Sequence, residues 1–367
     1  MSSIKLKHSG GNAVSISAPD TNPSSDRTLK LPSTDADGLI TTKDSNDSLQ
    51  AITGANGSAF SNRNLLINGA HIVWQRTTSV SGSGNTLDNF QYATDRFWLY
   101  SPSSSSGTVG QSTDAPSGFI YSTHNNLDAE CTIGSNVELL KTGSDAPFVN
   151  GESLTLSFYI KSTSARSGVS IAISTRDNAG GTGSVTRASG VTFNTTTDWT
   201  RVEKTFTLSG TVGGSNACLQ FQFNLAVGDK VTGFQLEKGT VATAFEHLSY
   251  GDTLAKCQRY FLHFGADGAP FARYAMGVSI NATNSAMRVE FPVQMRTVPT
   301  FTSSGNLSIS SAQAGQAVTS ISLETNTCTK NHGQIIAGCS SGLTAHRPYF
   351  LESNNNTTSN IQFSAEL

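Results

Sequence analysis

The side chains in this sequence best suited to chemistry are aromatic rings with amides in neighbouring strands. Trp98, Tyr100, Tyr121 and Tyr159 supply the rings, and Asn125, Asn126 and Gln222 supply the amides. A pyranose offers C–H faces and radiating hydroxyls, so a flat aromatic surface beside amide and hydroxyl groups suits a shallow sugar site. Trp98, Tyr100, Tyr121, Asn125 and Tyr159 are therefore candidates for ligand contact. Trp98 also has a competing role as filler of an apolar core, and the usual placement of tryptophan favours it. Trp74 and Trp199 read as structural. Near the end of the chain, His346-Arg-Pro-Tyr-Phe350 and Asn354-Asn-Asn-Thr-Thr-Ser359 look like loops. Exposed polar loops on a rigid scaffold are where recognition tends to sit, which adds His346 and Tyr349 to the candidates. The competing reading for both stretches is an ordinary polar loop.

Covalent and metal chemistry has less support. The 7 histidines show neither HxxxH nor HxH spacing, and the chain has no GxSxG elbow and no phosphate-binding Walker loop. Glycosidic cleavage needs two carboxylates across a cleft, and a distant pair such as Asp95 with Glu237 is all the sequence offers. Their strand-end positions fit salt bridges better. Asp35-Ala-Asp-Gly38 and Asp177-Asn-Ala-Gly-Gly181 lack the downstream bidentate glutamate of a calcium loop, and turn formation explains both. The 5 cysteines are odd in number and form no CxxC. They read as free thiols of a protein made in a reducing cytosol, with Cys328 and Cys339 the only pair that neighbouring strands could bring together. No catalysis, cofactor or metal is expected.

The 367 residues suit two or three domains. Charged residues are 14% and hydrophobics 36%, with 34 glycines and abundant Ser, Thr and Asn. Disorder usually combines high net charge with few aromatics. Here the net charge is −2, and 19 Phe, 8 Tyr and 3 Trp provide core anchors. That combination predicts an ordered all-β protein of short strands with polar outward faces and frequent turns. No Lys/Arg cluster is present to neutralise phosphates, so nucleic acid is not an expected partner. No apolar run approaches roughly 18 residues, and the first residues lack the apolar stretch of a signal peptide, so neither membrane insertion nor export is expected.

Alternation of apolar and polar residues places strands at 4–8, 13–18 and 28–32 in a first segment, residues 1–60. So few short strands bury little, so this segment must pair with copies of itself or with another protein. Residues 45–62 read as a linker. A central sandwich, residues 61–251, carries strands at 154–161, 169–174, 200–208, 219–225 and 231–236. The only helix is expected at 252–261, capped by Asp252. Residues 252–367 return to short strands and form a small C-terminal β domain at the tip.

Two motif blocks bracket the central segment. The first is Asn64-Leu-Leu-Ile-Asn-Gly-Ala-His-Ile-Val-Trp-Gln-Arg76 with Thr94-Asp-Arg-Phe-Trp-Leu-Tyr100. The second is Gly233-Phe-Gln-Leu-Glu-Lys-Gly-Thr-Val-Ala-Thr-Ala-Phe-Glu246, running into Tyr250-Gly-Asp-Thr-Leu-Ala-Lys-Cys-Gln-Arg-Tyr-Phe261. They resemble the opening and closing of a β-sandwich module in tail-fibre and related virion proteins of tailed bacteriophages. Ile4-Lys-Leu-Lys-His8 and Thr28-Leu-Lys-Leu-Pro32 resemble the N-terminal segment of cyanophage structural proteins. Ser157-Phe-Tyr-Ile-Lys161 followed by Asp198-Trp-Thr-Arg-Val-Glu203 is similar to carbohydrate-binding jelly rolls, which commonly pack a tryptophan such as Trp199 over one end of the core. The resemblance implies a receptor-binding tail fibre, made in the host cytoplasm and located in the virion. It also implies a homotrimer, attachment to tail adaptor or nozzle proteins through residues 1–60, and a host surface polysaccharide or protein as receptor. Two alternatives stay open: a head-decoration or tail-adaptor protein without receptor binding, and a surface-polysaccharide depolymerase.

Overall fold

The computed structural model describes residues 3–7, 13–17, 63–82, 87–101, 105–139, 148–176, 184–210, 218–311 and 315–366. The expected strand at 28–32, the turns at 19–23, 35–38 and 177–181, and the linker at 45–62 lie outside these residues. The chain divides into two units, Met1–Ser58 and Ala59–Leu367. In the first, β1 (Ser3–Lys7) and β2 (Ala13–Ser17) pair antiparallel with Ser3 opposite Ser17.

The second unit begins with β3 (Ser79–Ser81), β4 (Leu87–Tyr92), β5 (Phe97–Ser101), β6 (Gly107–Ser112), β7 (Ser122–Leu127) and β8 (Cys131–Glu138). Next come β9 (Ser153–Lys161), β10 (Arg166–Ser170), β11 (Ala172–Arg176), β12 (Ser184–Ala188) and β13 (Thr192–Thr195). The sandwich ends with β14 (Thr200–Thr207), β15 (Cys218–Leu225) and β16 (Lys230–Lys238). Two six-stranded sheets result, in the orders β12-β11-β15-β8-β5-β4 and β14-β9-β16-β7-β6-β3. Strands β10 and β13 form a small third sheet.

Side-chain alternation explains why these segments are strands. In β9, Leu154, Leu156, Phe158 and Ile160 all point inward and are fully buried. In β15, Leu219, Phe221, Phe223 and Leu225 do the same, which leaves Gln220, Gln222 and Asn224 on the other face. Phe158 stacks on Phe223 and Phe234 with centroids 4.9 and 5.2 Å away, so the rings of both sheets interlock. Each such buried ring contributes about 1.5–3 kcal/mol of transfer free energy.

The single strand expected at 169–174 is two strands in different sheets. Ile171 is buried and its N–H donates to the Val191 carbonyl, so the chain steps at that residue from the β10-β13 sheet to the large one. The helix α1 (Tyr250–Gln258) starts earlier than expected. Its cap is Ser249, whose hydroxyl accepts from the Asp252 N–H at 3.1 Å while donating to the Asp252 carboxylate at 2.7 Å. Asp252 is thus the third helical residue and not the cap, and Phe261 opens the next strand.

A second apolar cluster, separate from that of the sandwich, is built from residues between Leu262 and Ala365. It lies on a three-stranded sheet and a seven-stranded one. The seven-stranded sheet places β17 (Arg273–Ser279) at its centre, between β18 (Asn284–Glu290) and β20 (Pro348–Ser353), with β19 (His332–Gly338) beyond β18.

The bracketing motifs close this architecture. Asn64 donates from its amide to the Phe234 carbonyl, accepts from the Leu236 N–H, and gives its own N–H to Glu246 at 3.0 Å. Other motif residues join the sandwich to the C-terminal cluster. Arg76 bonds Glu366 at 2.9 Å and lies 3.5 Å over the Phe261 ring, while Arg96 pairs with Glu366 and lies 3.6 Å over Tyr260. The Tyr260 hydroxyl and the Arg259 guanidinium both bond Glu138, at 2.7 and 3.2 Å. All five cysteines are buried and free, including Cys328 and Cys339, which are not joined.

Candidate functional site

The seven sequence candidates fall at four separate places. Trp98 is buried, at 3% exposure, but not between the sheets. Alternation sends Phe97 and Leu99 into the sandwich core and puts Trp98 and Tyr100 on the outward face of the β12-β11-β15-β8-β5-β4 sheet. The expectation that Trp98 fills the sandwich core is thereby corrected. Its ring lies over Gly134, its register partner on β8, where a Cβ would fall inside the indole.

Register extends this outward face across the sheet. Trp98, Gly134, Gln222 and Ala172 form one row, and Tyr100, Thr132 and Asn224 form the next. Thr132 donates to the Asn224 amide oxygen at 2.8 Å, and the Gln220 amide donates to that of Gln222 at 2.8 Å. The row therefore presents linked donors and acceptors. Where it meets the small sheet, a cleft of about 380 Å³ is lined by Glu130, Arg166, Ala172, Gln222 and Asn224. Arg166 is anchored there by an ion pair to the buried Asp229. Sequence reasoning found Gln222 but missed Asn224, Glu130 and Arg166. The period-two pattern of β15 could have found Asn224, whereas only the register places Arg166 beside it.

Tyr121 lines a second cleft, of about 500 Å³, with Trp74, Phe119, His247 and Tyr250. Tyr159 lies behind it on the outward face of the other sheet, its ring 5.3 Å from that of Phe119. Both rings press on Gly233, which at φ 70° has no room for a side chain. Asn125 is fully buried, and its amide donates to the carbonyls of Ala129, Leu225 and Ala226 while its oxygen accepts from Leu127. It holds a strand end and has no capacity left for a ligand.

In the C-terminal part, His346 is exposed in a turn at φ 63°, but Tyr349 belongs to the apolar cluster and its hydroxyl accepts from the Thr344 N–H. Tyr349 is therefore a core residue, not a loop contact. Asn354 lines a third cleft, of about 480 Å³, with Ser303, Asn306 and Thr319.

Asp95 and Glu237 do not face one another across a cleft. Asp95 is 1% exposed and accepts from the Gln75 N–H at 2.7 Å and from Arg76. Burial pushes its carboxyl up to about 6, against the opposing pull of Arg76 and Gln75. Glu237 is buried and accepts from the Thr243 N–H and hydroxyl. The Trp199 indole N–H donates to Asp114, whose carboxyl is held well below the usual range, chiefly by hydrogen bonds from Lys230 and Trp199.

Residues 88–229 match a family described as a carbohydrate binding domain, and this span contains the whole outward face from Trp98 to Asn224. Among solved structures, the xylan-binding domain from Paenibacillus barcinonensis is similar at 11% identity and a TM-score of 0.25, over 45% of this chain and 94% of that one. The N-terminal cellulose-binding domain of a β-1,4-glucanase from Cellulomonas fimi is similar at 11% identity and a TM-score of 0.23, over 45% of this chain and 90% of that one. A module in complex with β-1,4-galactotriose is similar at 17% identity and a TM-score of 0.21, over 36% of this chain and 82% of that one. No curated protein matches the chain. The part of the central sandwich from 88 to 229 is thus similar in sequence to carbohydrate binding domains.

Proposed function

We propose that this chain is a virion structural protein, a phage tail fibre that attaches to the host by holding surface glycan on the outward face of the β12-β11-β15-β8-β5-β4 sheet. The observation that carries the glycan reading is the pair of outward amides Gln222 and Asn224, at alternate positions of β15 inside the matched region. Alternate residues on a strand lie about 7 Å apart, so these amides meet successive hydroxyl groups along an extended saccharide. The fibre reading rests on the motif blocks that resemble those of tail-fibre modules. In it, residues 1–60 bind tail adaptor or nozzle proteins, copies of the chain form a homotrimer, and the protein is made in the host cytoplasm. The chain holds its glycan and does not cleave it.

The double variant Gln222→Ala/Asn224→Ala tests the face. Gln222 is half-buried and Asn224 exposed, so the variant is expected to stay folded, with a modestly lower melting temperature from the loss of the Gln220–Gln222 bond. Loss of two hydrogen bonds at about 1 kcal/mol each weakens binding to host surface polysaccharide by about tenfold or more, read by retention on immobilised glycan. Undiminished retention would place the glycan elsewhere, and release of reducing ends by the purified protein would make the chain a depolymerase.

A further inference from the structure

We propose that the cleft between Trp74, Tyr121 and Tyr250 is a second saccharide site, on the opposite side of the sandwich from the outward amide row. Its walls come from segments far apart in sequence: Trp74 from the first motif block, Phe119 and Tyr121 from the approach to β7, and His247 and Tyr250 from the second block. Tyr250 is 57% exposed, unusual for a large ring with no partner to cover it. Trp74 is fixed in place. Its indole N–H donates to the His71 carbonyl at 2.6 Å, and its inner edge packs against the sandwich core. Phe119 and His247 in the wall form a mutual ring cluster with Phe245, with centroids 4.8 to 5.1 Å apart. A platform held this way loses little freedom when a ligand arrives.

The polar groups identify the ligand class. Gln111, His247, Tyr121 and Tyr250 line this cleft, and their side-chain polar atoms have no hydrogen-bond partner among the described residues. An acyl chain would leave all four unsatisfied, and a phosphate would find no Lys or Arg in the lining. A sugar satisfies both kinds of surface, with C–H groups against the rings and hydroxyls toward the amide, imidazole and phenols. About 500 Å³ is within the range of small-molecule sites and admits about one or two pyranose rings. This site does not depend on the outward face being a glycan site.

Three full-length proteins would be compared on an immobilised panel of xylan, cellulose, galactan, peptidoglycan and lipopolysaccharide: the parent, Tyr121→Ala/Tyr250→Ala, and Gln222→Ala/Asn224→Ala. At least one glycan is expected to lose about tenfold in binding with the tyrosine variant while keeping its affinity for the amide variant. A Trp74→Phe protein is expected to lose the fluorescence change that this glycan causes in the parent. Equal binding by the parent and a folded tyrosine variant on every glycan would overturn the second site and leave the outward face standing. Absence of parent binding to the whole panel would overturn both.

Discussion

His71 is wholly buried, its Nδ1 2.9 Å from the Thr123 hydroxyl and its ring 4.5 and 5.3 Å from those of Phe97 and Phe234. Burial lowers its pKa from 6.5 to about 3. The unfolded chain therefore takes a proton below pH 6.5 that the native state refuses until about pH 3, so stability falls with acid across that window. The full loss is on the order of 5 kcal/mol. Asp95 acts in the opposite direction. Burial raises its pKa from 3.8 to about 6, so its contribution is complete below pH 3.8 and is lost as pH rises through 6. That contribution is about 3 kcal/mol. Between pH 6 and 4 the two largely cancel. Asp95→Asn is expected to steepen the acid loss, and His71→Asn to reverse it; asparagine tolerates the backbone there, at φ 53°. Urea midpoints at several pH values from 4 to 7 measure this, and parallel curves for parent and variants would contradict it.

Strand β8 shows how an element shapes its face. Gly134 leaves the surface flat enough for the Trp98 ring to lie on it, and the register then sets Gln222 on the far side of the same row. Gly134→Ala would push the indole off the strand at a cost of about 1–3 kcal/mol. A lower denaturation midpoint with altered near-ultraviolet dichroism is the expected outcome, and an unchanged spectrum would show that the ring does not lie there. The motif residues operate at the same scale. Gln75, Arg76, Asp95, Arg96, Arg259 and Tyr260 are spread over three segments and meet where the sandwich joins the C-terminal sheets. The conspicuous Trp-Gln-Arg, Asp-Arg and Gln-Arg-Tyr triplets and pairs are thus largely a joint.

At the scale of the molecule, the outer face of the seven-stranded sheet carries exposed apolar side chains in register among the described residues. Met276, Val278 and Ile280 stand at alternate positions on and just beyond its central strand, 59%, 48% and 51% exposed. Their register neighbours Phe350, Pro348, Ala286 and, across β18, Ile336 extend the patch sideways. Outward positions of β14 are instead Glu203, Thr205 and Thr207, so the apolar patch departs from the polar outer face of that strand. Arg288 stands opposite Met276 and pairs with Glu290, and Arg273 pairs with Glu352, so the charges on this face balance and do not repel a second copy. Under the homotrimer proposal this face is where copies meet. Met276→Glu/Val278→Glu is expected to sediment as a folded monomer while the parent sediments as a trimer. A variant that sediments as a trimer would clear the face of that role.

All-β character and most strand positions in the sandwich were legible in the residues alone, as was the choice of aromatic and amide side chains as candidates, because alternation and side-chain type are local properties. The sequence also singled out the two motif blocks through resemblance. It did not determine which candidates share a site. Asn125 and Tyr349 have the right chemistry and are occupied inside the fold, while Asn224 and Arg166 come together only through strand register and a sheet crossing at Ile171. A one-residue shift in register moves every side chain to the opposite face, so whether Trp98 is core or outward was a tertiary decision. The same holds for the cleft at Trp74 and Tyr250, whose walls are distant in the chain and are brought together by closure of the sandwich.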